Sequence, residues 1–179
     1  MTTIQVLDKK FVPFLTEEEI RAAVRRIAED LERKLEGERP FFVCVLRGAL
    51  YFFADLLEEI RIPYNFSLYQ VSSYEGLQST QNLREITPFL RDVHGRTVVL
   101  VEDILETGHT LSVLKEKFYE RGAKRVMITT LLLKPDVFQE RFPVECVGLS
   151  IPDDFVIGYG LDYNQEGREL REIYRLSEE

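Results

Sequence analysis

The chain of 179 residues is poor in cysteine, has fewer basic than acidic side chains, and has no long uncharged apolar run. Each shortage removes a class of function. The two cysteines, Cys44 and Cys146, lie in apolar, strand-like segments; they read as buried thiols of a reducing compartment rather than a disulfide or metal framework. Lysine and arginine number 23 against 31 acids, a net charge of −8, which argues against a broad nucleic-acid-binding face. No stretch is long and apolar enough to span a bilayer, so no membrane partner is expected. The start, Met1-Thr2-Thr3-Ile4-Gln5, lacks the basic and apolar regions of a secretory signal, and a cytoplasmic location is expected. Internal repeats, low-complexity segments and Gly/Ser linkers are also absent, and the length suits one domain with a sizeable core.

What is present is a regular alternation of strand and helix patterns. Thr16-Glu17-Glu18-Glu19 is a capping box, with Leu15 and Ile20 placed as a hydrophobic staple. Ile20, Ala23, Val24, Ile27 and Leu31 then form one apolar helical face that Gly37 can end. Phe41 to Leu46 is a buried-strand run, Arg47-Gly48 a turn, and Ala49 to Ile60 a second helix. Tyr64 to Val71 is another strand, and residues 73–87, polar and without a period, read as a long loop. A helical pattern follows His109 through Leu111, Leu114 and Phe118, with Gly122 as its cap, and Val126 to Leu133 is the next strand. This order implies an α/β fold, a parallel sheet with helices on both faces.

The most informative segment is Val98-Val99-Leu100-Val101-Glu102-Asp103-Ile104-Leu105-Glu106-Thr107-Gly108-His109-Thr110-Leu111. An uninterrupted apolar run is a strand covered on both faces. Two carboxylates at its carboxyl end, then a short polar turn into a helix, are the makings of an open α/β ligand crevice. The helix start offers unpaired N–H groups and a positive dipole to a phosphate, and the acids can hold sugar hydroxyls or Mg²⁺. The segment therefore suggests binding of a phosphorylated sugar.

This motif closely resembles the signature of the purine phosphoribosyltransferases, which transfer ribose 5-phosphate from phosphoribosyl pyrophosphate (PRPP) to a base. The resemblance covers nearly the whole chain. It implies the type I phosphoribosyltransferase fold, a central mostly parallel sheet flanked by helices. A single domain of residues 1–179 would have its core at about 36–150 and a small hood from 1–15 and 151–179. By the same resemblance, Glu102 and Asp103 hold the ribose hydroxyls, with Mg²⁺ near, and Thr107, Gly108 and Thr110 cradle the 5′-phosphate. Arg47 and Gly48 approach the pyrophosphate through a turn that often carries a cis peptide. Ser72-Ser73-Tyr74-Glu75-Gly76 resembles the mobile catalytic loop, in which Ser73 and Tyr74 contact the pyrophosphate as a lid over 73–87 closes.

Two further runs carry the purine side of the resemblance. Leu131-Leu132-Leu133-Lys134-Pro135 ends a strand with the lysine that contacts the purine 6-oxygen in hypoxanthine-guanine members. An ammonium has only donors, so it favours a 6-oxo acceptor over adenine's amino group. In Ile151-Pro152-Asp153-Asp154-Phe155-Val156-Ile157-Gly158-Tyr159-Gly160-Leu161-Asp162-Tyr163-Asn164, Phe155 matches the ring that stacks on the base and Val156 the backbone that reads its edge. Asp162 matches a Mg²⁺–pyrophosphate ligand, and Arg168 a basic residue near the pyrophosphate. Glu106 departs from the pattern: relatives have aspartate there, the proposed general base on the purine N7 proton. Glutamate offers the same chemistry with one more methylene, and must still come within hydrogen-bond reach. His109, where relatives carry Lys or Leu, reads as a solvated helix-start residue. The resemblance implies Mg²⁺ as cofactor, PRPP and a 6-oxopurine as substrates, and a homodimer or homotetramer. The competing class is a regulator whose phosphoribosyltransferase-like domain senses PRPP or nucleotides without catalysis. Such regulators usually add a DNA-binding segment or a basic RNA surface, and this chain shows neither.

Overall fold

The computed structural model describes residues 3–73, 83–138 and 142–177. Its elements in chain order are β1 (Ile4–Val6), β2 (Lys9–Leu15), α1 (Glu17–Lys34), β3 (Phe41–Leu46), α2 (Leu50–Glu59), β4 (Asn65–Ser73), β5 (Leu83–Glu85), β6 (Thr97–Leu105), α3 (His109–Glu120), β7 (Arg125–Leu133), β8 (Cys146–Ser150), β9 (Val156–Ile157) and β10 (Ile173–Leu176). A six-stranded sheet has the order β5-β4-β3-β6-β7-β8, and a four-stranded sheet from the chain ends has the order β1-β2-β10-β9. In the large sheet β4, β3, β6, β7 and β8 are parallel neighbours, and only β5 runs antiparallel.

The apolar runs of β3, β6 and β7 are continuous because both faces are covered. Phe42, Cys44, Val99, Val101, Met127 and Leu131 pack with α1 and α2 on one side. Val43, Val45, Val98, Leu100 and Ile128 pack with Leu111, Leu114 and Phe118 of α3 on the other. Both cysteines are buried free thiols. The capping box of α1 forms as the sequence predicts: the Glu19 N–H donates to Thr16 Oγ1 at 3.2 Å and the Thr16 N–H to Glu19 Oε2 at 2.8 Å. No described helix is long and apolar enough to cross a membrane.

One expectation is corrected. Residues 73–87 are not all loop: β4 runs on to Ser73, and β5 returns beside it, pairing Ser73 with Leu83 and Val71 with Glu85. A three-residue edge strand needs no alternating apolar face, so periodicity could not reveal it. Its anchor is electrostatic, Glu85 pairing with Lys117 of α3 and with Arg121 at the helix's C-terminal cap. Tyr74, and the rest of the expected lid through residue 82, lie outside the described residues.

Candidate active site

The chain passes from β3 outward to β4 and then back to β6 on the other side of β3, so the strand order reverses between β3 and β6. Ligand crevices of open α/β sheets form at the carboxyl ends of strands at such a switch. A cavity of about 480 Å³ lies there, receiving Arg47 and Gly48 from the end of β3, Glu102 and Asp103 from β6, and Lys134 from the end of β7. Glu106 and Thr110 enter from the turn into α3, and Phe155, Val156, Asp162 and Arg168 from the segment around β9. A smaller recess of about 150 Å³ adjoins it, lined by Thr107, Gly108 and His109 and sharing Glu102, Glu106 and Thr110. The structure thus brings every described site residue expected from the sequence to these two cavities; the Ser73 side chain and all of Tyr74 lie outside what is described.

At three glycines in and around the site a side chain would collide with a neighbour. The Leu46–Arg47 peptide is cis. Beyond it, a side-chain carbon on Gly48 would sit 1.7 Å from Asp103 Oδ2, and one on Gly160 would sit 2.2 Å from the Gly48 carbonyl oxygen. Asp103, Gly48 and Gly160 are therefore stacked at backbone distance. Gly108, with φ of 79°, starts α3 in a left-handed conformation, and a carbon there would meet Phe138 at 2.7 Å. Unlike α1, α3 has no side-chain cap from Gly108 and no acid in its first turn; the His109 N–H makes only a long 3.4 Å contact to Thr107 Oγ1, so the helix start and its dipole can receive an anion.

The acids differ in their settings. Asp103 is buried and its Oδ1 accepts from the Ile104 N–H at 2.9 Å, while Glu102 Oε1 accepts from the Asp103 N–H at 3.3 Å. Burial, followed by the neighbouring Asp103 charge, pushes the Glu102 carboxyl well above the usual carboxylate range. Burial also raises Asp103, against hydrogen bonds and the Arg168 charge that favour its ionised form. Asp162 is held by Arg168 at 2.6 Å and accepts from the Gln165 N–H at 2.7 Å. Arg168 donates to the Gly160 carbonyl at 2.5 Å, and Arg47 to Gln165 Oε1 at 3.1 Å.

Lys134 is the buried cation of the site, its side chain 6% exposed. Its ammonium contacts Glu106 Oε1 at 2.5 Å and Asp153 Oδ1 at 3.0 Å. Burial disfavours the charge, but the hydrogen bonds and charges of the two carboxylates outweigh it and hold Lys134 above the ordinary lysine value. Phe155 is 44% exposed, its ring flanked by Phe11 and Tyr163 at centroid distances of 6.3 and 5.9 Å. Val156 is buried in β9, the edge of the small sheet, where among the described strands β10 alone pairs with it. His109 is exposed, as expected.

Sequence reasoning missed Asp153, the second partner of Lys134, and Gln165, the partner of Arg47. Each touches a residue far along the chain, and nothing in the local pattern marks such a contact. Among the described residues no three His, Cys, Asp or Glu side chains form a cage for a metal ion. Hard carboxylate oxygens of Glu102, Asp103 and Asp162 nevertheless line the cavity. That donor set suits an ion such as Mg²⁺, which takes one or two carboxylates and completes its shell with substrate oxygens and water.

Comparison with known proteins identifies the family and the fold. Residues 14–164 match the family model described as the phosphoribosyl transferase domain. The chain is 37% identical over 159 residues to the hypoxanthine phosphoribosyltransferase of Salmonella typhimurium, an alignment covering 87% of this chain and 89% of that protein. It is 38% identical over 169 residues to the hypoxanthine-guanine phosphoribosyltransferase of Mycobacterium tuberculosis, covering 90% of this chain and 84% of the relative. A solved hypoxanthine phosphoribosyltransferase from Staphylococcus aureus superposes with a TM-score of 0.87 at 34% identity, over 93% of this chain and 91% of that one.

Proposed function

The chain belongs to the phosphoribosyltransferase family, and from that premise we propose that it transfers the 5-phosphoribosyl group of PRPP to hypoxanthine or guanine, releasing pyrophosphate and forming IMP or GMP. The observation that carries this reading is a cavity holding the Glu102–Asp103 pair and a buried ammonium, Lys134, with the exposed Phe155 ring, adjoined by a recess at the start of α3.

In this reading the 5′-phosphate sits on the N–H groups of Thr107 to Thr110, where the helix start needs an anion. Glu102 and Asp103 accept from the ribose 2′- and 3′-hydroxyls. Arg47, the Gly48 backbone and Arg168 face the pyrophosphate. The base lies on Phe155, with its 6-oxygen on the Lys134 ammonium and its edge read by the Val156 backbone. The purine N9 bonds to C1′ as the C1′–pyrophosphate bond breaks, and the N7 proton passes to the Glu106 carboxylate. Positioning and charge stabilisation supply most of the rate, because the nucleophile itself is already competent. Mg²⁺, which Asp162 with Glu102 or Asp103 would help hold, neutralises charge on the leaving pyrophosphate when bound. Ser73 and Tyr74 belong to the same proposal as lid residues, and assembly as a homodimer or homotetramer belongs to it as well.

Steady-state pyrophosphate release with PRPP, Mg²⁺ and each of hypoxanthine, guanine and adenine tests the assignment. Hypoxanthine and guanine should turn over and adenine very poorly. Adenine turnover equal to that of hypoxanthine would remove Lys134 from purine selection. No turnover with any base would favour the sensing regulator.

A further inference from the structure

Lys134 carries two carboxylates, Glu106 and Asp153, at the nitrogen assigned to the purine 6-oxygen. Its side chain is 6% exposed, while those of Glu106 and Asp153 are 50% and 64% exposed. An ammonium has three N–H donors. In the structure one contacts Glu106 at 2.5 Å and a second Asp153 at 3.0 Å. Only Oε1 of Glu106 faces that cation, but a Glu106 that takes the N7 proton can no longer offer the ammonium a counter-charge. Once it turns to the base and takes the proton, its negative charge is gone. A buried ammonium left with a neutral purine oxygen alone would lack a counter-charge, and unpaired buried charge is expensive.

We propose that Asp153 is the positioning residue of purine selection: it stays on the Lys134 ammonium and holds it in the cavity while the 6-oxo group of the purine takes over from Glu106. The proposal rests on the assignment of Lys134 to the purine site. Purine entry is then an exchange at one nitrogen, with Asp153 constant and Glu106 released toward N7 only when an acceptor has arrived to replace it. An adenine amino group, a donor, cannot make that exchange. The placement of Asp153 serves this role. It lies two residues before Phe155, between β8 and β9, so one short segment sets both the ring beneath the base and the counter-charge behind the ammonium. Two exposed charges in this geometry would contribute little. The burial of Lys134 is what makes this pair different.

The test is a double-mutant cycle on the full chain, read as KM for hypoxanthine, KM for PRPP and kcat. Asp153→Ala should raise KM for hypoxanthine about tenfold, the scale of a charge-assisted hydrogen bond discounted for one exposed partner, and leave KM for PRPP within about twofold. Asp153→Asn keeps an oxygen acceptor and should restore part of the loss. In a Lys134→Met background, Asp153→Ala should add less than about twofold, because the group it positions is gone. A full Asp153→Ala penalty in that background, or a hypoxanthine KM unchanged by Asp153→Ala while Lys134→Met raises it, overturns the proposal. Unchanged hypoxanthine kinetics in Lys134→Met alone would instead refute the purine site, and this proposal with it.

Discussion

Gly48→Ala separates the fold from the site. The added carbon would lie 1.7 Å from Asp103 Oδ2, where contacts below 3.0 Å essentially do not occur, so that oxygen must retreat by about 1.3 Å. The obstacle is the end of a side chain, not backbone, and Gly48 is not among the residues with positive φ, so the substitution adds no backbone strain. The stability cost is then confined to the Asp103 Oδ1 bond to the Ile104 N–H, about 1 kcal/mol if it is lost. Replacing glycine removes unfolded-state freedom worth about 0.4–1 kcal/mol in the opposite direction. Tm should therefore move by no more than about 2–4 °C for a chain of this size. The reaction is far less tolerant: a misplacement of about 1 Å in a reactive constellation costs on the order of 10²-fold. Gly48→Ala should lose on the order of 10²-fold in kcat/KM while melting almost normally by circular dichroism. Gly95→Ala is the converse control. Gly95 has φ of 69° and nothing within 4 Å of the added carbon, so that variant should lose stability through backbone strain, about 1 kcal/mol, with native kcat/KM. A Gly48→Ala enzyme with kcat/KM within about threefold of native would refute the argued role of the Asp103 position. A collapse of Tm by more than about 10 °C would show that the clash is borne by the fold.

The remaining expectations concern the acids. Glu106→Gln keeps a polar group near Lys134 but cannot accept the N7 proton; kcat should fall by about 10²-fold or more with KM for PRPP little changed, and a near-normal kcat would leave Glu106 as an ion partner only. Glu102 gives a pH signature. Burial and the Asp103 charge raise its folded value above that of the unfolded chain, so the folded state binds the proton more tightly. Its contribution to stability is thus most favourable at acid pH and falls as pH rises above the ordinary glutamate range, near 4.3, through the raised folded value. In urea melts of the ligand-free protein, the stability of the native chain relative to Glu102→Gln should decline across that interval. A difference that stays constant with pH would mean that Glu102 titrates normally.

The division between what the chain declares locally and what folding decides is clear at particular residues. The runs at β3, β6 and β7, the capping box at Thr16 and Glu19, and the glycine that opens α3 were legible because each is written within a few residues: periodicity, caps and turn chemistry are short-range properties. Strand alternation implied the parallel sheet, and the order of acids, turn and helix after Val101 placed the crevice at a strand end. The roles proposed for Lys134, Phe155 and Asp162 rest on family resemblance, since a lysine at a strand end or an aromatic before a short strand has no chemistry in isolation. Tertiary structure alone decided the rest. β10 closes on β2, setting Leu176 against Phe11, and Arg47 finds Gln165. Asp153 meets Lys134 from the segment between β8 and β9, and the backbone of Gly160 rests on Gly48, which in turn rests on Asp103. β5 exists because β4 offers it an edge and the end of α3 with its cap offers Glu85 two cations, Lys117 and Arg121. These contacts join residues whose separation along the chain carries no period, and their energy appears only when folding brings a charge, a lone pair or an unpaired edge within bonding distance of its partner.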